Sequence, residues 1–122
     1  MTVPILQIGS DLIASLLGTM TDADIVEFQG DVLDELDRTG AIGLILDISA
    51  MDIVDSYMAR VLNDSMRMAG VLGAVVVVVG MRPAVALTLV QMGRQLVGAE
   101  AALNLELGLA KLQAMKRRRE DS

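Results

Sequence analysis

Four side chains able to take part in chemistry, Asp47, Asp52, Asp55 and Ser56, crowd the stretch Leu44-Ile45-Leu46-Asp47-Ile48-Ser49-Ala50-Met51-Asp52-Ile53-Val54-Asp55-Ser56. A serine hydroxyl is a weak nucleophile without a base beside it. The chain has no histidine and no cysteine. The common activating base, the thiolate nucleophile and the imidazole or thiolate metal site are therefore absent. A serine among acids at the start of a helix is better suited to being modified than to modifying. A phosphate placed there adds about −1.5 to −2 charges and three acceptor oxygens. It sits at the positive end of the helix dipole, where the fold tolerates it. A protein docked on the same spot does not. One unit charge ~6 Å from an acidic group, at an effective dielectric of ~20, costs about 2.8 kcal/mol, on the order of a hundredfold in affinity.

Ser56 also has a purely structural use, because serine and aspartate both cap helix N-termini. Asp55 caps equally well, and with Asp55 in that place the Ser56 hydroxyl is left free in the first turn. Asp52 and Asp55 make the surroundings negative. With Met51, Tyr57, Met58 and Arg82 they form a candidate partner-binding set around Ser56. Met51, Tyr57, Met58, Met81 and Met92 fall near loop ends or helix starts at one end of the expected sheet. Methionine commonly fills cores, and it also makes adaptable docking surfaces.

Asp47 lies at the end of a central strand, where a phospho-accepting aspartate would lie in a receiver-like domain. Such a site needs an acidic pair after the first strand and a late lysine. Here Asp11 stands alone and no lysine precedes Lys111. Closing a tight loop by accepting backbone N–H bonds is the simpler use of Asp47. The pairs Asp52/Asp55 and Asp22/Asp24 have no neighbours to complete an acid–base or hard-cation site. Gly80-Met81-Arg82-Pro83 lacks the spacing of a phosphate-binding loop. No catalytic residue, metal or cofactor is expected.

The elements that must position these residues follow from periodicity. Val3–Ile8 and Leu12–Leu16, joined by Gly9-Ser10-Asp11, read as a hairpin, with Pro4 near an edge. Thr21-Asp22-Ala23-Asp24 resembles a capping box. Ile25, Val26, Gln29, Val32, Leu33 and Leu36 then follow helical spacing as far as Gly40. Ile42–Ile48 is a strand. A second helix opens at Ser56, runs through Met58, Val61, Leu62, Met66 and Ala69, and closes at Gly70. Gly73–Val79 is a strand buried on both faces. Pro83 opens a third helix that ends near Gly93. Arg94–Leu103 holds at most one short strand. Asn104 caps a last helix with Leu105, Leu109, Leu112 and Met115 on one side. Alternating strands and helices with short loops imply an α/β domain with a mixed, mostly parallel sheet of about four to five strands and about four helices.

Composition sets the class. At 122 residues the chain suits one domain, 1–122, with residues 118–122 expected to fray. Hydrophobic residues make up 53% and aromatics 2%, so the core must be aliphatic. The valine run is far shorter than the ~20 residues of a membrane helix. The N-terminus lacks the pattern of a signal peptide, and the absence of cysteine fits a reducing cytoplasm. A net charge of −6 disfavours nucleic acid as a partner. The run Lys116-Arg117-Arg118-Arg119 complements a helix C-terminus.

Leu44-Ile45-Leu46-Asp47-Ile48-Ser49, then Asp55-Ser56, then Ala59-Arg60-Val61-Leu62 resemble the STAS domain, the fold of anti-sigma factor antagonists. The resemblance covers essentially the whole chain. With Gly80-Met81-Arg82-Pro83-Ala84-Val85-Ala86-Leu87-Thr88-Leu89-Val90 it extends to the small scaffold subunits of the bacterial stressosome. It implies a non-enzymatic cytoplasmic protein that holds a switch serine-protein kinase in a large homo- and hetero-oligomeric assembly with a related STAS co-antagonist. It implies phosphorylation on Ser56, release of the kinase and resetting by a separate phosphatase. A simpler antagonist that binds one anti-sigma kinase is the alternative within the family.

Overall fold

Five consecutive valines explain how the molecule is layered. Successive side chains of a strand point to opposite faces. In strand β4 (Val75–Val79), Val76 and Val78 enter one apolar cluster, and Val77 and Val79 enter another. A strand buried on both faces needs helices on both sides, which parallel crossovers supply. The computed structural model, which describes residues 2–52, 54–91 and 99–121, shows that arrangement.

The chain runs β1 (Ile5–Ile8), β2 (Asp11–Ser15), α1 (Asp22–Thr39), β3 (Gly43–Asp47), α2 (Ser56–Val71), β4, α3 (Pro83–Gln91), β5 (Ala99–Ala102) and α4 (Leu105–Glu120). The strands form one sheet in the order β1-β2-β3-β4-β5. β1 and β2 pair antiparallel, and the remaining neighbours pair parallel. The register sets Ser15 beside Asp47, Asp47 beside Val79 and Val79 beside Ala102. The loops that follow β3 and β4 therefore leave the sheet side by side.

On one face α1, α2 and α3 contribute Ile25, Phe28, Val32, Leu36, Ala59, Leu62, Met66 and Val85 to the larger cluster. On the other face α4 places Leu112 against Ile13, Ile45, Val77 and Val79, with Leu109 and Met115 beside them. The last helix thus has the apolar side expected of it, except that Leu105 is exposed.

Both expected ends of α1 and the expected start of α4 are present. Thr21 and Asp24 form a reciprocal capping box, and Gly40 closes α1 in the left-handed conformation. The Thr21 backbone N–H donates to Asp24 at 2.9 Å, and this bond chiefly holds the Asp24 carboxyl below its usual range. Asn104 caps α4. Two assignments shift. In α1, Phe28 is fully buried whereas Val26 is 45% exposed, so the apolar stripe is rotated from the one read in sequence. Gln29 sits at the α1–α2 contact, where its Nε2 donates to Ser65 Oγ at 3.1 Å. α2 continues past Gly70 to Val71 and is capped by Leu72.

The basic run is held in place. Lys116 Nζ pairs with Asp11 at 2.8 Å, and Arg118 pairs with Glu100 at 3.1 Å. Arg119 donates to the Gly73 carbonyl. α4 accordingly runs to Glu120, into the stretch 118–122 expected to fray. The expected end of α3 near Gly93, and Met92, lie outside the described residues. None of the described helices is long and apolar enough to cross a membrane.

Candidate modification and docking site

The site is built on the loop between β3 and α2, and Asp47 starts it. Its Oδ1 accepts from the Ser49 backbone N–H at 3.0 Å and from Ser49 Oγ at 2.7 Å. Asp47 therefore closes a turn. Ile48 N–H donates to the Val79 carbonyl, and Met51 N–H donates to the Ile48 carbonyl, both at 3.0 Å. Met51 and Val54 are buried at 1% and 2% exposure, so the loop is anchored by two apolar side chains as well as by its turn.

The neighbouring loop braces it. Arg82 Nε donates to the Ser49 carbonyl at 2.8 Å, and Arg82 Nη1 lies 2.6 Å from Asp52 Oδ1. The approach depends on Gly80, whose φ of 76° lies in the left-handed region. A Cβ on Gly80 would stand 2.5 Å from the Ser49 Cβ, closer than carbon atoms pack, so only glycine fits without a shift. Nothing in the spacing of Gly80 and Ser49 revealed this approach, although the glycine before Met81-Arg82-Pro83 was a visible turn signal.

The loop delivers the chain to α2 with Asp55 at the cap. Asp55 has extended backbone angles (φ −82°, ψ 176°), and its Oδ1 accepts from the Met58 N–H at 2.9 Å. Ser56 is the first helical residue. It is exposed, and its hydroxyl has no hydrogen-bond partner among the described residues. The structure thus divides the two candidate roles: Asp55 caps and Ser56 stays free. Tyr57 is 36% exposed, and Arg60 Cζ lies 5.9 Å from its ring centroid. Arg60 was not among the sequence candidates, although its spacing of three from Tyr57 was readable.

Two candidate docking residues must be withdrawn. Met51 is 1% exposed and Met58 7%, so both fill the core and neither offers a surface to a partner. The reason is local: Met51 points inward to seat the loop, and Met58 is on the face of α2 that packs on the sheet. Met81 is half-buried against the larger cluster. The structure sets Asp55, Ser56 and Tyr57 together at the start of α2, with Arg60 one turn on, and pairs Asp52 with Arg82 in the loops that lead there.

The two carboxylates nearest Ser56 in sequence are engaged elsewhere, Asp55 by the Met58 N–H and Asp52 by Arg82. Among the described residues no group of three or more carboxylates could hold a metal ion. Asp47 is committed to Ser49, and Lys111 donates to the Ala101 carbonyl at 2.7 Å. What the site offers is an accessible hydroxyl in the first turn of a capped helix, next to Asp55, the Tyr57 ring and Arg60.

Comparisons with known proteins identify the family and the fold. The STAS domain family model matches residues 2–99. A solved structure of RsbS from Moorella thermoacetica, in a form with a serine-to-glutamate substitution, superposes with a TM-score of 0.84 at 37% identity, covering 94% of this chain and 97% of that one. A chain from a structure of the molecular architecture of the stressosome, a signal integration and transduction hub, superposes with a TM-score of 0.82 at 38% identity, covering 93% and 99%. The anti-sigma factor antagonist SpoIIAA in its unphosphorylated form shares the fold, with a TM-score of 0.69 at 12% identity over 98% and 97% of the two chains. No curated protein sequence matches the chain.

Proposed function

The chain belongs to the STAS domain family, and on that premise we propose that it is a non-enzymatic antagonist and scaffold that holds a switch serine-protein kinase and releases it when Ser56 is phosphorylated. The observation that carries this reading is the division of labour at the start of α2. Asp55 satisfies the helix end, which leaves the Ser56 hydroxyl exposed and unbonded among the described residues. The likeness to RsbS and to a stressosome chain over nearly the full length supports a scaffold and antagonist role in a large assembly. The finer reading adds a related STAS co-antagonist in that assembly and a phosphatase that resets it, all in the cytoplasm.

The mechanism is electrostatic. The kinase transfers the γ-phosphoryl group of ATP to Ser56 Oγ, ADP leaves, and the hydroxyl proton passes to the kinase's base. The new dianion lies beside Asp55, the cap of the same helix. The first turn of α2 accommodates it, because backbone N–H groups there favour an anion. A partner seated over Ser56 is repelled, while the fold beneath is unchanged.

The test is capture of the co-purifying kinase by the parent chain and by two variants. Ser56→Asp is expected to weaken capture on the order of a hundredfold, the effect of about 2.8 kcal/mol at ~6 Å. Ser56→Ala is expected to retain the kinase in the presence of ATP. Equal capture by the Asp variant defeats the proposal. So does an acid-labile label, which would place the phosphate on Asp47. Particles of megadalton size containing a second STAS protein support the scaffold; a small binary complex with an anti-sigma kinase supports the simpler antagonist.

A further inference from the structure

Arg60, one turn into α2, and Arg82, in the loop after β4, differ in how they are engaged. Arg82 is committed twice, to the Ser49 carbonyl at 2.8 Å and to Asp52 at 2.6 Å. Arg60 has no carboxylate partner among the described residues, and its recorded contact is with the Tyr57 ring, 5.9 Å to the centroid. Both Arg60 and Tyr57 are exposed, and an exposed arginine–ring contact is among the weaker interactions an arginine makes.

Ser56 and Arg60 are four residues apart on one helix. That spacing places them on the same face about 6 Å apart along the axis, with the acidic group N-terminal to the basic one, the favourable order. Arg67, the next arginine along α2, is about 16 Å further on than Ser56 and out of reach. A phosphate and a guanidinium form a charge-assisted, bidentate pair that is stronger than a solvent-exposed ring contact.

We infer that Arg60 is the residue that binds a phosphate on Ser56, and that it leaves the Tyr57 ring to do so. Modification then changes the docking face twice. It adds negative charge, and it uncovers an aromatic ring that the unmodified chain keeps beneath a cation. Asp55 opposes the phosphate, and Arg82 is engaged by Ser49 and Asp52, so Arg60 is the counter-charge this end of the helix supplies. The inference rests on the reading of Ser56 as the modified residue.

Tyr57 is the only tyrosine and the chain has no tryptophan, so tyrosine ring signals report on this position alone. Phosphoserine is installed at position 56 during translation, in the parent chain and in Arg60→Gln and Arg60→Lys. Phosphorus NMR follows the second ionisation of the phosphate, and proton NMR follows the Tyr57 ring. The phosphate is expected to ionise about 0.3 pH unit lower in the parent than in Arg60→Gln, with Arg60→Lys recovering only part of the difference, because lysine keeps the charge but not the fork. The Tyr57 signals of the phosphorylated parent are expected to move to the positions seen in Arg60→Gln. Equal ionisation in the parent and the Gln variant, or ring signals that phosphate leaves unmoved, overturns the inference. No kinase enters this experiment. A kinase that ignores Ser56 defeats the proposed function and leaves this result standing, and the reverse also holds.

Discussion

Arg82, one residue before α3, reaches Asp52 at 2.6 Å and so ties the start of one helix to the loop that presents the next. Both side chains are more than half exposed, and exposed pairs contribute roughly 0–1 kcal/mol. Arg82→Ala is therefore expected to leave global stability within ~1 kcal/mol of the parent. Its effect is local: hydrogen exchange through residues 49–55 becomes faster, because the Ser49 carbonyl and Asp52 lose their shared brace. Unchanged exchange in that loop would show that burial of Met51 and Val54 holds it alone.

Gly80 makes the same junction possible. Gly80→Ala places a methyl group where Ser49 already stands and forces a left-handed backbone on a residue that disfavours it. Denaturant unfolding is expected to show a loss of about 1–3 kcal/mol. Gly30→Ala in the exposed middle of α1, where an added Cβ meets nothing within 4 Å, is the control. It is expected to gain up to ~1 kcal/mol through helix propensity.

The attachment of α4 depends on a charge pair at the edge of the core. Asp11, 6% exposed, accepts from Lys116 at 2.8 Å and from Gln113 at 3.1 Å. Lys116→Met leaves a buried carboxylate with one neutral donor, and a loss of about 3 kcal/mol is expected. Adding Asp11→Asn removes the stranded charge, so the double variant is expected to recover part of that loss in the same denaturation assay.

Asn63 is the opposite case, since its Oδ1 is buried without a hydrogen-bond partner among the described residues. It lines a small apolar cavity with Leu46, Val54, Met66 and Val78. Asn63→Leu removes an unsatisfied acceptor at similar volume and is expected to raise stability by about 1–2 kcal/mol. A lower melting temperature would show that the amide has a partner in solution.

Acid stability carries a signature of the α1 cap. The Thr21 N–H holds the Asp24 carboxyl below its usual range in the folded chain. A folded pKa below the unfolded one gives stability that is present above the unfolded value, about 4, and is lost as pH falls through the folded value. Asp24→Asn is therefore expected to lose less stability than the parent between neutral pH and strongly acidic pH. Parallel stability curves for the two chains would contradict this.

Much of this protein was readable from local chemistry. The all-valine strand declared itself buried on both faces. The Thr21–Asp24 box, Gly40, Pro83 and Asn104 marked helix ends, because caps and turns involve residues only a few positions apart. The Asp47-to-Ser56 stretch was legible for the same reason, but the choice between Asp55 and Ser56 as cap was left to the structure. Other features depend on which surfaces meet, and no local pattern encodes that. Met51 and Met58 turned inward because the sheet lay beneath them, and Phe28 displaced Val26 from the core because α1 docks with a slightly different rotation. The contacts of Arg82 with Ser49 and Asp52, Gly80 with Ser49 and Lys116 with Asp11 join residues about thirty or more positions apart, brought together by parallel strand register and by α4 crossing the opposite face. The sequence alone determined the order of the helices and strands and most of the residues that cap them. Only the packing of those elements decided which side chains remained on the surface beside Ser56.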